Sequence, residues 1–481
     1  MKTSERQKPA GQKGTSIQII SMQKLTRKQQ AILVVRLSIP AILAEISSII
    51  MQYIDAAMVG SLGADASAAI GLVASSSWLL GGLCVSVVTG FSVQAAQFFG
   101  AGKTDRAREV FCQSLVMAIV FGVLLSVTGI LVSPHLPVWL GGEAAICEKA
   151  SRYFWIFSCA LPATQLRQLA GGMLQCSGDM KTPGMLNIAM CILNVAFNFL
   201  LIFPTREIGI FGTRVTWFGA GLGVAGAALG TALSEVVTAL LMLAGACMRF
   251  LPSFDIHKEA WRPDPIYYRN AAYISVPVAL EHIVLCGAQV ALTHIIAPLG
   301  TVAIAANALA VTAESLCYMP GYGIGSAATT LVGQSIGAGR RDLAKSYAWL
   351  SVMLGVGLMT VTGVLMFLFS PVLFRMLTPD TSVQALGVQV LRIEAFAEPL
   401  FAASIVVAGA LRGAGDTRVP GILNLISMWG VRITAASLLA PVTGLYGVWL
   451  AMCGELCVRG MLFLFRLKRG KWLQHNFCGK K

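Results

Sequence analysis

The stretch Gln97–Ala107 reads QFFGAGKTDRA, and 237 residues further on Gln334–Ala344 reads QSIGAGRRDLA. Slid by that offset, the chain aligns with itself without a gap over residues 37–187. Pro40 falls on Pro277, Leu62-Gly63 on Leu299-Gly300, Ser133-Pro134 on Ser370-Pro371 and Pro162 on Pro399. GDMKTPG (Gly178–Gly184) falls on GDTRVPG (Gly415–Gly421), and Asn187 on Asn424. The first copy then carries about 16 extra residues around Phe203–Phe218, after which Gly226 matches Gly447. An internal repeat of this length means two structural copies of one unit.

The medium of those copies follows from composition. Of 481 residues, 56% are hydrophobic and 12% charged, with a mean hydropathy of +0.73. A soluble chain of this length carries about a quarter charged residues. A bilayer core needs about 20 apolar residues per helix, and long unbroken apolar runs exclude a β-barrel, whose strands alternate. Apolar runs at about 31–60, 66–98, 109–133, 153–176, 184–204 and 220–250 predict six helices, and those at 270–298, 302–336, 346–370, 386–411, 420–441 and 444–466 predict six more. The expectation is an all-α integral membrane protein of twelve transmembrane helices in two pseudo-twofold-related six-helix bundles.

Charge sets the topology. With both termini inside, cytoplasmic segments hold 26 of the 36 Lys and Arg, external loops five and helices five. This bias predicts cytoplasmic termini. Six helices per copy is an even number, so both copies insert in the same sense around an axis along the membrane normal. Two such bundles leave a cleft between them. The predicted segments are a basic cytoplasmic tail (1–30, with an uncleaved first helix after it), an N-lobe (31–250), a polar linker (251–269), a C-lobe (270–466) and a cytoplasmic tail (467–481). The net charge of +14 gathers in loops and tails and does not imply nucleic-acid binding. Twelve cysteines are scattered through apolar runs; Cys453 and Cys457 share a face without a nearby histidine, so no metal centre is expected.

The polar residues inside the runs carry the chemistry. In IPAILAEISSIIMQYIDAAMVGSL (39–62), Asp55 shares a face with Ser48 and Gln52. A carboxylate within the bilayer costs a few kcal/mol unless it meets a cavity or a partner. The fifth helix puts Asn187, Asn194 and Asn198 on one face, and the sixth puts Thr231, Ser234, Glu235 and Thr238 on a common side. Together with Gln52 and Asp55 they could form one oxygen-rich pocket for a proton or a cation; the alternative is a hydrogen-bond network that only joins helices. In the second lobe Asp55 maps to Leu292, so that pocket is not duplicated. That lobe instead carries Glu281, Glu314, Arg392, Glu394, Glu398, Arg432, Glu455 and Arg459. Glu455 and Arg459 are spaced to pair. Glu394 and Glu398 share a face before Pro399, where a bend could open them to the cleft, and an acidic cleft favours cations. Glu281 is either a cleft acid or a structural partner. GAGKTD lacks the glycine five positions before Gly102 that a phosphate-binding loop needs, so no ATPase is recognisable.

These residues resemble the multidrug and toxic compound extrusion (MATE) family, bacterial branch. The resemblance rests on GAGKTDRA and GAGRRDLA, LQCSGDMKTP and LRGAGDTRVP, and YMPGYGIGSAATTLVGQ, and covers residues 31–466. It implies a monomeric transporter of the plasma (inner) membrane, without cofactor, that exports amphipathic, often cationic compounds in exchange for Na+ or H+ by rocker-type alternating access. It also implies an ion-coupling role for Asp55 (in YIDAAMVGSLG) and Asn194 (in CILNVAFNFLLIF). Some members carry a second acid where Asn198 stands; others bind sodium through acids on the seventh and tenth helices, where Glu281, Glu394 and Glu398 lie. Two other readings are weaker. A lipid-linked oligosaccharide flippase would want buried cations for a pyrophosphate, and a membrane prenyl transferase would want aspartate-rich motifs for magnesium.

Overall fold

The computed structural model describes residues 26–210, 213–251 and 261–474. Six helices make the first bundle: α1 (Arg27–Gly60), α2 (Ala64–Gly100), α3 (Thr104–Val132), α4 (Ala144–Cys176), α5 (Lys181–Ile202) and α6 (Val224–Phe250). The second has α7 (Pro265–Ile296), α8 (Thr301–Gly337), α9 (Arg341–Leu377), α10 (Thr381–Glu394 and Glu398–Gly413), α11 (Arg418–Thr443) and α12 (Leu445–Arg469). Ten are individually long and apolar enough to cross a membrane. The other two crossings are α4, which carries Arg167 between two glutamines, and α10, which breaks at Ala395–Ala397 ahead of Pro399.

The repeat is visible in the backbone. Left-handed glycines recur at the same offset: Gly63 and Gly300 (φ 110° and 96°), Gly102 and Gly339 (71° and 72°), Gly178 and Gly415 (91° and 84°). Past the extra segment the spacing shortens, and Gly223 (φ 56°) answers Gly444 (φ 64°). That segment is a pair of antiparallel strands, Pro204–Ile210 and Thr213–Ala220, where the sequence suggested only an external loop. Several boundaries also move. Arg27–Gln30 already belong to α1, held by a capping box on Thr26, and α7 starts at Pro265, capped by Asp264. Residues 1–25, 252–260 and 475–481, which include most of the predicted N-terminal tail and parts of the linker and the C-terminal tail, lie outside the described residues.

Each lobe buries its own apolar cluster, with Phe111 stacked on Phe250 in the first and Phe374 and Trp449 buried in the second. Between lobes, α1 packs on α8, and α2 on both α7 and α8. The crossing of α2 and α8 is tight because glycine meets backbone on both sides. A Cβ on Gly100 would strike the Gln334 carbonyl, and one on Gly337 would strike that of Gln97. The two glutamines then reach across the seam. Gln334 Nε2 donates to the Cys176 carbonyl at 2.8 Å and Gln97 Nε2 to that of Ala414 at 3.5 Å, while Thr330 Oγ1 donates to the Gln175 carbonyl at 3.2 Å. The lobes are thus locked together at the end that bears the two glycine turns.

Gly337→Val therefore lowers stability by roughly 1–3 kcal/mol through overpacking, read as thermal unfolding of the detergent-solubilised protein. Gly357→Val, on a helix face where a Cβ meets nothing within 4 Å, leaves it near wild type; equal losses would contradict the close crossing.

Candidate functional site

In the N-lobe the polar residues divide into two groups. The first is a chain: Asn198 Nδ2 donates to Asp55 Oδ1 at 2.6 Å and to Asn194 Oδ1 at 3.1 Å, and Asn194 Nδ2 donates to Thr231 Oγ1 at 3.1 Å. Both asparagines are fully buried. Gly230 makes this possible, since a Cβ there would collide with the Asn198 side-chain oxygen. That oxygen, Asn198 Oδ1, is buried and has no donor among the described residues. A carboxylate held by neutral amides, on a chain that also carries a donorless oxygen, suits a proton, a water or a small cation, all of which bring positive charge to acceptors. Tyr153 and Cys191, which sequence patterning does not single out, lie within electrostatic reach of Asp55.

Glu235 does not join that chain. Arg167 holds it in a bidentate pair, Nε to Oε2 at 2.6 Å and Nη2 to Oε1 at 3.1 Å, and donates from Nη1 to Asn187 Oδ1 at 3.3 Å. The single pocket expected from sequence is thus two sites. The physical reason is Arg167: a guanidinium inside the bundle is costly without an acceptor, and it takes Glu235 and Asn187. Gln52 also stays out; it is exposed, with no hydrogen bond among the described residues. Ser48 bonds the carbonyl of Ala44 on its own helix. Glu45 extends the stripe of Ser48, Gln52 and Asp55 by three residues and lies near the Arg167 charge. Its spacing marks it as clearly as that of Ser48, yet patterning around Asp55 alone does not reach it.

The C-lobe corrects two further expectations. Glu281 is not a free cleft acid: Arg412 Nη2 and Asn424 Nδ2 both donate to its Oε1 at 2.7 Å. Asn424 is the repeat partner of Asn187, so each lobe places this asparagine on an Arg–Glu pair, with the charges supplied from different helices. Arg412, grouped by sequence with the cytoplasmic bases, is three-quarters buried. Glu394 and Glu398 are fully buried rather than open to a cleft; no oxygen or nitrogen donor among the described residues reaches their carboxylates, and Glu398 has only the Cys317 thiol beside it. They flank the break in α10, and buried Glu314 acts electrostatically on both. Glu455 is shared by Arg459, at 3.2 Å and four residues on as expected, and by Arg432 at 2.7 Å. Arg432 reaches it from a π-helical stretch of α11, Ile426–Ile433, a distortion that often marks functional positions. Leu292, the counterpart of Asp55, sits in the C-lobe apolar cluster, so the Asp55 site is not duplicated.

Comparison with known proteins gives the family and the fold. The MatE family profile matches residues 40–200 and 277–438, one match per repeat. A probable multidrug resistance protein NorM of Thermotoga maritima is 26% identical over 440 residues, covering 91% of this chain and 92% of its own. The multidrug resistance protein MdtK of Pectobacterium atrosepticum is 26% identical over 444 residues, covering 90% and 94%. Among solved structures, a MATE protein in complex with MaL6 superposes with a TM-score of 0.85 at 21% identity, over 96% of this chain and all of that one. An outward-facing multidrug resistance MATE family transporter gives 0.84 at 20% identity, over 97% and 100%.

Because the Arg167–Glu235 pair is buried, Arg167→Gln strands a carboxylate and costs about 3–5 kcal/mol, whereas the double change Arg167→Met with Glu235→Leu recovers most of it. Thermal unfolding in detergent reads both; a double variant as unstable as the single would contradict a purely structural pair.

Proposed function

We propose that this chain, which belongs to the MatE family of membrane transporters, is a secondary active antiporter of the bacterial inner membrane with both termini cytoplasmic. It exports amphipathic, cationic compounds in exchange for Na+ or H+. The N-lobe (31–250) and C-lobe (270–466) rock against each other about the seam of α2 and α8. The observation that carries this reading is the chain from Asp55 through Asn198 and Asn194 to Thr231, placed in otherwise apolar helices and left with an unfilled acceptor.

Asp55 is the switch. As a carboxylate it holds the Asn198 amide and draws a cation; once it is protonated, its charge and its hold on Asn198 both weaken. Asn194, Asn198 and Thr231 are the supporting ligands. Glu235 positions Arg167 and through it Asn187, outside the coupling step. The unpaired acids Glu314, Glu394 and Glu398 supply the negative field that favours cationic substrates from the C-lobe, and Glu281 anchors Arg412. Relatives named as multidrug resistance proteins, such as NorM and MdtK, support export of small-molecule drugs.

The pairing pattern disfavours a pyrophosphate-lipid flippase, because Arg167, Arg412, Arg432 and Arg459 are each taken by a glutamate. Efflux of a fluorescent organic cation from proteoliposomes, with sodium and proton gradients imposed separately, tests the proposal. Wild-type protein concentrates the dye against its gradient with one of the two ions, and Asp55→Asn folds and inserts normally but loses active efflux. Undiminished transport by that variant would refute the role of Asp55.

A further inference from the structure

Five arginines set into the bundle have a carboxylate: Arg167 with Glu235, Arg412 with Glu281, Arg432 and Arg459 with Glu455, and Arg466 with Asp416. Half-buried Arg392, on α10, has no carboxylate within 4 Å among the described residues. Its Nε donates to Ser370 Oγ at 3.2 Å and to the Phe367 carbonyl at 3.4 Å, and its guanidinium carbon lies 5.2 Å from the centre of the Phe367 ring. These contacts leave the Nη donors free and the charge uncompensated. A guanidinium at membrane depth is costly unless an anion or water reaches it.

The place that anion would come from is adjacent. Arg392 lines a crevice of about 620 Å³ between α10 and α12, together with Phe396, Tyr446, Leu450 and Cys453. All its lining residues are in the C-lobe, so it is separate from the interface between lobes. Phe396 is 73% exposed, Leu450 49% and Tyr446 45%. Tyr446 stands at the second position of α12, beside the turn at Gly444, so the crevice runs from that helix end toward the half-buried Arg392. Its rim is apolar along Phe396 and Leu450 and polar at exposed Gln389, and its one charge is the Arg392 guanidinium.

We propose that this crevice binds a phospholipid from the surrounding leaflet, with the headgroup phosphate on the free Nη donors of Arg392 and an acyl chain along Phe396 and Leu450. Arginine suits phosphate because its fork of N–H groups makes two parallel, charge-assisted bonds. The apolar part of the rim selects an amphiphile over a free anion. The site takes no part in the coupling at Asp55, so it stands or falls independently of the antiport proposal.

Native mass spectrometry of the full chain tests this after delipidation and titration with phosphatidylglycerol, with diacylglycerol, which lacks the phosphate, and with inorganic phosphate. Arg392→Gln removes the anchor. Leu450→Trp fills the crevice while keeping Arg392, and carries the test alone if the first variant does not fold. The expected result is one tightly retained phosphatidylglycerol on the wild type, weakened about tenfold or more in either variant, with no retention of diacylglycerol and no displacement by inorganic phosphate. Retention unchanged in Leu450→Trp, retention of diacylglycerol equal to that of phosphatidylglycerol, or displacement by inorganic phosphate would overturn it.

Discussion

In a bilayer every buried polar group must find its partner inside the protein, because lipid offers none. That constraint sorts the interior of this chain. Buried arginines are matched to glutamates helix by helix, at 2.6 Å for Arg167–Glu235 and 2.7 Å for Arg412–Glu281 and Arg432–Glu455. What the matching leaves over is acidic: Asp55, held by neutral asparagine amides, Glu398, with only the Cys317 thiol beside it, and Glu394, with no hydrogen bond among the described residues. A protein that buries more carboxylates than it neutralises has room for mobile positive charge, and the proposal of cation-driven export rests on that surplus.

The duplication supplies geometry, and divergence supplies chemistry. Turns, glycine crossings and in-helix prolines recur between the halves because they define the shared backbone. The charges of the turns recur, Asp105 with Asp342 and Asp179 with Asp416, but the acids inside the helices do not. Asp55 has Leu292 as its counterpart, while Glu281, Glu394 and Glu398 are confined to the C-lobe. Asn187 and Asn424 mark the middle case, one position kept as a ligand to an ion pair whose arginine comes from equivalent helices, α4 and α10, and whose glutamate does not. Two lobes that move alike but titrate differently give a transporter a single switch on one side and a different field on the other.

Much of this was legible in the amino-acid order. Long apolar runs and paired GAG turns fix twelve helices in two copies, since hydrophobic length and glycine backbone freedom are local properties. The Glu455–Arg459 pair was legible too, being four residues apart on one helix. The Arg167–Glu235 and Arg412–Glu281 pairs were not, because they join helices whose relative rotation no local pattern encodes. The same holds for the burial of Glu394 and Glu398 and for the π-helical register that swings Arg432 onto Glu455. The strand pair at Pro204–Ala220 was visible only as an insertion. Asp55, Asn194 and Asn198 were found because polar residues in apolar helices stand out, and their facing one another is the part the structure adds.

The central claim is that Asp55 cannot hold its coupling ion and remain unaffected by substrate. The most direct measurement follows ion release when a fluorescent organic cation binds to the purified protein in weakly buffered, sodium-controlled solution. Binding should displace one proton or one sodium ion per cation bound, and Asp55→Asn should bind without releasing either. Tight substrate binding by the wild type with no ion released, in either medium, would contradict the account.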